Sequence, residues 1–195
     1  RDLTIALGSW SSSLEELMRS YAIFPRLGRP VALTYIKKIE DGDGNVIEAY
    51  TPPVESSATP SQEGQGFVGP GNGLVITPQT AYVMTDLLRA VGREGTGRAA
   101  GAVSGAVAGK TGTSNDHRDA WFIGYSPSLM AGVWLGYEKN DKLLDPSETG
   151  GKAAAPIFAD YMKEAILNYP KVDFPIPDDI HFAYVDRLTG KLAGS

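Results

Sequence analysis

The chain has 195 residues, 42% of them hydrophobic, so it can bury the core of one domain or of a large part of one, which excludes a disordered protein. A net charge of -5 without any basic stripe argues against a nucleic-acid-binding role. The absence of Cys excludes a disulfide framework and zinc–thiolate sites, and the two histidines, His117 and His181, are too few for a histidine-rich metal site. We therefore expect no metal in this chain.

A helix followed by a strand hairpin is predicted near the start of the chain. Residues 13–24 place apolar side chains on one face, and the Ser at the first position has Glu16 three residues on, the spacing of a capping box. Residues 31–39 and 46–50 flank a turn, Asp-Gly-Asp-Gly-Asn, whose Gly and Asn residues tolerate positive φ. This pattern predicts two antiparallel strands.

The middle of the chain is predicted to hold a second helix between two irregular segments. Residues 51–73 are rich in Pro, Ser, Gly and Gln, which indicates a surface loop. Thr77 then supplies an N-cap and Pro78 a first turn for a helix whose apolar side chains recur on one stripe. Residues 92–105 are again irregular and rich in Gly and Ala.

Three strands are predicted in the second half of the chain. They cover residues 107–113, 120–125 and 129–137. Their connections are too short for a parallel crossover, which favours an antiparallel meander. The fold class is therefore α+β, an antiparallel β-sheet with helices packed on it.

A last helix is predicted to begin at Pro156, with the aromatic residues Phe158 and Tyr161 expected in the core. Residues 171–195 are expected to form a C-terminal extension, in which residues 180–190 start a further β element.

The stretch Gly109-Lys110-Thr111 has two structural interpretations, and the first is a phosphate-binding loop. That loop has the pattern G-x-x-x-x-G-K-[ST], which requires Gly at position 104, where this sequence has Ser. The loop must also open a helix. Here a turn-forming Thr-Ser-Asn-Asp run follows, and then a strand pattern. The sequence therefore argues against a nucleotide-binding protein.

The second interpretation is a strand that faces a substrate. Lys110 and Gly112 would then point to one side and Thr111 and Thr113 to the other. Gly112 would let a substrate backbone approach closely, while Thr hydroxyls can bind a carboxylate and Lys supplies a cation for proton transfer. These properties are those of the K-T-G motif in penicillin-binding proteins and serine β-lactamases.

The series of motifs around K-T-G resembles the transpeptidase domain of class A (bifunctional) penicillin-binding proteins. GKTGTSND begins at Gly109 and is followed by DAWFIGY. Further segments occur in the family's usual order, namely Leu7-Gly8 before ELMRSYA, then ITPQTAY, GTG and ETGGKAAAP. The resemblance covers residues 1–170, which we expect to be the C-terminal part of such a domain. It implies a penicillin-binding-protein/serine β-lactamase-like transpeptidase fold, incomplete in this chain.

The resemblance implies a peptidoglycan D,D-transpeptidase, a serine acyltransferase that uses no cofactor. In the family, a Ser attacks the penultimate D-Ala carbonyl of a stem peptide, D-Ala leaves, and an amine of a neighbouring strand resolves the acyl-enzyme. β-Lactams acylate the same Ser. The resemblance assigns proton transfer to Lys110 and an oxyanion-stabilising N–H to Thr113. It assigns substrate binding to Thr111, Gly112, Thr113 and Ser114.

Two motifs of the family are missing from the sequence. No Ser has Lys three residues on, as S-x-x-K requires, and none has Asn two residues on, as S-x-N requires. In the family both motifs precede the segment that residues 3–8 resemble, and this chain begins Arg1-Asp2-Leu3 without Met or signal peptide. We therefore expect a piece of a longer protein, inert alone, whose partner is an upstream part of the same domain carrying both motifs. The resemblance places it at the extracytoplasmic face of the bacterial inner membrane, anchored by an upstream segment, with peptidoglycan stem peptides and β-lactam antibiotics as its ligands.

Two alternatives remain open: a non-catalytic module that recognises peptidoglycan or β-lactams, and a D,D-carboxypeptidase or β-lactamase relative. Close to the motif, Ser114 and Asn115 are expected either to line a cleft or to turn the chain. His117 is expected to be solvated. Asp119 and Trp121 are expected to hold neighbouring strands together rather than to touch substrate.

Overall fold

The computed structural model describes residues 11–51, 73–103, 105–114, 116–137 and 142–193. In chain order its elements are α1 (Leu14–Tyr21), β1 (Lys38–Glu40), β2 (Val46–Ala49), α2 (Pro78–Arg93), β3 (Ala108–Thr113), β4 (Asp119–Tyr125), β5 (Met130–Gly136) and α3 (Ala155–Ala165). A short 3₁₀ turn follows α2, and a π-helical turn, Gly150–Ala154, leads into α3. Within these described ranges, no helix is both long and apolar enough to cross a membrane.

The larger sheet is the predicted meander, with the antiparallel strand order β3-β4-β5. Its register sets Lys110 opposite Ile123 and Gly112 opposite Trp121. Because paired residues of antiparallel strands point to the same side, these four side-chain positions define the front face of the sheet. The alternate residues, among them Thr111 and Thr113, define its back face.

The helices begin where the sequence predicts. The Ser13 hydroxyl accepts from the Glu16 N–H at 3.2 Å, and the Glu16 carboxylate accepts from the Ser13 N–H at 2.8 Å, which is a complete capping box. Thr77 caps α2, and Pro78 occupies its first turn. The last helix was expected to begin at Pro156, and the π-helical turn in front of it was not anticipated.

The core lies on the back face and at one end of the sheet. Phe122 of β4 packs against Phe158 of α3 with ring centroids 4.7 Å apart, and both side chains are buried. At the end of the sheet, the buried Tyr125 hydroxyl lies 3.1 Å from the Thr85 hydroxyl of α2. Tyr161, expected in the core, is 57% exposed, so that prediction is wrong. The buried positions of α3 follow a different stripe: Ala155, Phe158, Ala159 and Met162.

The front face is covered in part by α1. A Cβ added at Gly132 of β5 would meet the side chains of Leu14 and Met18, so the helix lies directly against this strand. The predicted hairpin forms as β1 and β2, but all its residues are exposed. Near the end of the chain, Val185 and Leu192 form one antiparallel bridge, inside the expected extension. Most of the predicted loop, residues 52–72, lies outside the described residues.

Candidate active site

The Lys-Thr-Gly-Thr motif lies on the last four residues of β3, as the strand interpretation predicts. In the sheet that the described residues form, β4 pairs with β3 on one side and β3 is an edge strand on the other. The side chain of Lys110 is exposed on the front face, and Thr113 is exposed on the back face. The motif therefore presents side chains on both sides of an accessible strand edge.

The alternation of antiparallel hydrogen bonds places backbone groups of the two threonines on that outer edge. The Ser114 N–H donates to the Asp119 carbonyl at 3.0 Å, so this pair bonds across the two strands. Hydrogen-bonded and non-bonded pairs alternate along an antiparallel ladder. Every second residue before Ser114 therefore bonds to β4, whereas the N–H and C=O groups of Thr111 and Thr113 point outward. The Thr113 N–H is thus free of the β3–β4 ladder.

The hydroxyl of Thr111 has a partner from another part of the chain. Its Oγ1 lies 2.7 Å from the Oγ1 of Thr96, in the Gly-Thr-Gly turn that follows α2. The distance is typical of a hydroxyl–hydroxyl hydrogen bond, and either oxygen can donate. Thr96 had no role in the sequence interpretation.

The hydroxyl of Thr113 is held by a main-chain donor. The Gly150 N–H, at the start of the π-helical turn, donates to Thr113 Oγ1 at 3.0 Å. A hydroxyl oxygen that accepts one hydrogen bond keeps its own proton to donate. The Thr113 proton donates to none of the described residues, so it is available to a ligand.

The turn containing Gly150 packs directly on the backbone of the motif strand. A Cβ added at Gly150 would overlap the carbonyl oxygens of Trp121 and Gly112. A Cβ at Gly151 would overlap the Thr96 carbonyl and come within 3.7 Å of Thr111 Cγ2. Two glycines therefore bring this turn close behind both threonines. In the sequence analysis this segment appeared only as part of the ETGGKAAAP motif.

A cleft of about 870 Å³ separates α1 from the front face and from the motif. Lys110 is a cation in this cleft, and its Nζ donates to the outward-pointing Thr111 carbonyl at 2.8 Å. Tyr21 of α1 also lines the cleft, and burial raises the pKa of its hydroxyl, which is therefore neutral at pH 7. Glu16 lines it too, and its pKa is lowered chiefly by the hydrogen bond from the Ser13 backbone. The cleft thus combines acidic, basic and neutral polar side chains.

Ser114 lines the cleft and also holds the turn that follows the motif. Its Oγ accepts from the Arg118 N–H at 2.9 Å and from the Asp119 N–H at 3.0 Å. With two backbone donors on its oxygen, the hydroxyl can serve a ligand only through its proton. Both expected roles of Ser114 are therefore compatible with its position, while Asn115 lies outside the described residues.

His117 differs from its prediction as a solvated residue. It is half-buried, with φ at 51°, and its Nδ1 is buried without a hydrogen-bond partner among the described residues. Its main chain joins two loops, because its N–H donates to the Ser114 carbonyl and its carbonyl accepts from the Leu144 N–H. Its main-chain contacts explain the geometry, and no catalytic partner of its ring lies among the described residues.

Asp119 and Trp121 make the cross-strand contacts that were expected of them. The Trp134 Nε1 of β5 donates to Asp119 Oδ1 at 2.8 Å, and the rings of Trp121 and Trp134 lie 6.1 Å apart. Both residues also border the cleft.

Comparisons with known proteins match most of this chain. A family model described as the penicillin binding protein transpeptidase domain matches residues 2–163. Penicillin-binding protein 1A of Aquifex aeolicus (strain VF5) is 38% identical over 176 residues, which are 90% of this chain and 22% of that protein. The chain spans 22% to 25% of the length of the first curated relatives it matches.

Solved structures confirm the predicted fold class. The crystal structure of penicillin-binding protein 1A from Haemophilus influenzae matches 98% of this chain, and 32% of its own, with a TM-score of 0.81 and 27% identity. The D,D-transpeptidase domain of a peptidoglycan glycosyltransferase from Eggerthella lenta matches 80% of this chain and 32% of its own, with a TM-score of 0.55. At 19% identity, this second likeness shows the fold alone.

Proposed function

This chain belongs to the transpeptidase-domain family of penicillin-binding proteins, and from that premise we propose that the protein is a peptidoglycan D,D-transpeptidase. The reaction is serine acyl transfer: a Ser oxygen bonds to the penultimate D-Ala carbonyl carbon, terminal D-Ala leaves, and an acceptor amine then displaces the Ser. β-Lactams would acylate the same Ser. Each step exchanges one acyl bond for another, so the chemistry requires no cofactor.

The observation that carries the proposal is the outward edge of β3. Thr111 and Thr113 direct N–H and C=O groups away from β4, and an extended peptide can add to such an edge as a further strand. The absence of a side chain at Gly112 leaves room for that approach on the front face. The edge is a template for the D-Ala-D-Ala end of a stem peptide.

The proposed roles of the motif follow its two faces. Thr111 and Thr113 donate hydroxyl protons to the substrate carboxylate from the back face. The Thr113 N–H, which points outward, stabilises the oxyanion that forms at the attacked carbonyl; one such donor is typically worth about 10²–10³ in rate. Ser114 adds a donor at the mouth of the cleft.

Lys110 supplies positive charge and proton transfer on the front face. Its ammonium group is exposed, and no carboxylate of the described residues lies within salt-bridge distance. An ammonium without a carboxylate partner keeps its attraction for an anionic substrate. Its hydrogen bond to the Thr111 carbonyl holds the ammonium group beside the strand edge.

The nucleophile must come from outside this sequence, because the sequence contains no S-x-x-K and no S-x-N. We propose that the cleft between α1 and the front face seats the part of the same domain that carries both motifs. Its volume of about 870 Å³ exceeds what one substrate carboxyl terminus fills, and Lys110 faces into it. The assembled site would lie outside the cytoplasm, with the protein anchored in the inner membrane.

The missing nucleophile also favours a second candidate, a module that recognises peptidoglycan or β-lactams without reacting. A hydrolytic relative, a D,D-carboxypeptidase or β-lactamase, would use the same motif with water as the acceptor. The three differ in whether a covalent acyl-enzyme forms and in what resolves it.

Labelling with a fluorescent penicillin tests the proposal. The protein encoded by the full reading frame should carry one covalent label, on a Ser outside these 195 residues, whereas this chain alone should carry none. A labelled Ser within this chain would overturn the assignment of the nucleophile. Reversible binding without a covalent label would favour the recognition module, and rapid release of hydrolysed penicillin would favour the β-lactamase relative.

A further inference from the structure

The hydroxyl of Thr96, which pairs with that of Thr111, has no role in the function proposed above. Thr96 belongs to the turn after α2, whereas Thr111 belongs to β3, and their oxygens are 2.7 Å apart. Both side chains reach the surface. The Thr96 side chain thus contacts the motif strand β3 without belonging to the motif.

We propose that Thr96 is a positioning residue for carboxylate recognition: its hydroxyl donates to Thr111 Oγ1 and thereby reserves the Thr111 proton for the substrate carboxylate. This inference rests on the proposed function. In the pair, one hydroxyl donates its proton to the other oxygen, and the proton of the accepting hydroxyl is free to bind a ligand. A carboxylate beside Thr111 accepts and cannot donate, so it favours the arrangement in which Thr111 donates outward and accepts from Thr96.

Thr113 supplies an independent parallel for this arrangement. Its oxygen already accepts from the Gly150 N–H, a donor that cannot reverse its direction. Its proton is therefore directed elsewhere in every hydrogen-bonding state. With Thr96 as its donor, Thr111 acquires the same polarity, so both threonines receive a hydrogen bond from the protein and give one to the ligand.

The position of Thr96 is set by close packing. A Cβ at Gly97 would meet the Phe122 ring at 3.0 Å, and one at Gly151 would overlap the Thr96 carbonyl. The turn that holds Thr96 therefore lies pressed between the back face of the sheet and the π-helical turn. The Thr96 side chain is short, so its hydroxyl is held close to Thr111. Hydrogen bonds in series, here from Thr96 to Thr111 and from Thr111 to the carboxylate, strengthen one another.

The test uses the full-length protein and compares benzylpenicillin, which has a carboxylate, with its methyl ester, which has none. Thr96→Val keeps the shape of the side chain and removes the donor. We expect its second-order acylation rate with benzylpenicillin to fall about three- to tenfold, and its rate with the ester to stay within about twofold of wild type. Thr96→Ser, which restores a hydroxyl, should recover most of the loss.

A double variant separates this role from a general structural one. If the Thr96 hydroxyl acts only through that of Thr111, adding Thr96→Val to Thr111→Val should lower the acylation rate with benzylpenicillin little further. The effects of the two substitutions should therefore not add. Equal losses for acid and ester, additive effects, or no loss with benzylpenicillin would each overturn the inference while leaving the proposed function intact. A wild-type protein that is not acylated at all would overturn the proposed function and this inference with it.

Discussion

Gly150→Ala tests whether the turn behind the motif sets the position of the strand. The added Cβ would overlap the carbonyl oxygens of Trp121 and Gly112 and would lie 3.0 Å from the Gly112 nitrogen. These are main-chain atoms inside the β3–β4 ladder, so they cannot rotate away as a side chain would. Gly150 does not have positive φ, so Ala is compatible with its own backbone and the effect comes from contact alone.

The magnitude follows from the displacement that the methyl group requires. To restore an ordinary contact distance, the turn and the strand must separate by about 1 Å. A misplacement of about 1 Å in a catalytic constellation can cost about 10²-fold in rate. The same shift stretches the Gly150 N–H bond to Thr113, which is 3.0 Å long. Overpacking also lowers the free energy of unfolding, by about 1–3 kcal/mol.

The assay is the second-order acylation rate of the full-length protein with benzylpenicillin, together with its thermal unfolding. Gly42→Ala is the matched control, because no described atom lies within 4 Å of its Cβ position and its φ is not positive. Gly42→Ala should acylate as wild type does, and Gly150→Ala about a hundredfold more slowly while still folded. A folded Gly150→Ala variant within about threefold of wild type would show that the strand is positioned by something else.

Three further predictions concern single side chains. Thr113→Val keeps the backbone N–H but removes the hydroxyl that receives the Gly150 hydrogen bond. The rate of acylation by benzylpenicillin should fall about 10- to 150-fold, corresponding to ~1.5–3 kcal/mol. An unchanged rate would exclude carboxylate binding by this hydroxyl. Thr85→Val leaves the buried Tyr125 hydroxyl without its partner, so urea denaturation should give a free energy of unfolding lower by about 1–3 kcal/mol, whereas no change would mean that Tyr125 finds another partner. Burial raises the pKa of Tyr125 in the folded state. Below pH ~10 the hydroxyl is neutral in both states, so the free energy of unfolding does not depend on its ionisation; above that pH the unfolded state ionises first. The free energy of unfolding should therefore fall as the pH rises beyond ~10, and less steeply in Tyr125→Phe.

The secondary structure was predictable where a local signal decides it. The capping box of Ser13 and Glu16 and the Thr77-Pro78 start each involve residues within one helical turn, and both helices begin there. The meander followed from connections too short for a crossover. By contrast, Tyr161 was assigned to the core from an aromatic stripe, but it is 57% exposed. The side of α3 that packs against Phe122 of the sheet carries Ala155, Phe158, Ala159 and Met162, and only the packing of the helix on the sheet selects it.

The motif strand was predictable from four consecutive residues, but its supports were not. Thr96 and Thr111 are 15 positions apart, and Gly150 and Thr113 are 37 apart. No periodicity or spacing rule relates such positions, since only the packing of α2 and of the π-helical turn against the sheet brings them together. Gly150 in the sequence resembles any loop glycine; its function depends on the carbonyl oxygens that occupy the space where a Cβ would be.

The two supports also differ in kind, and this difference determines how each can be tested. Thr111 receives its hydrogen bond from a side chain, so Thr96→Val can remove the donor while the backbone stays in place. Thr113 receives its hydrogen bond from a main-chain N–H, which no side-chain deletion removes, so only a displacement such as Gly150→Ala reaches it. If both variants selectively weaken reaction with the carboxylate-bearing penicillin, recognition of the anion depends on three segments that the fold brings together. In that case the four-residue motif alone, transplanted to another edge strand, would not reproduce the site.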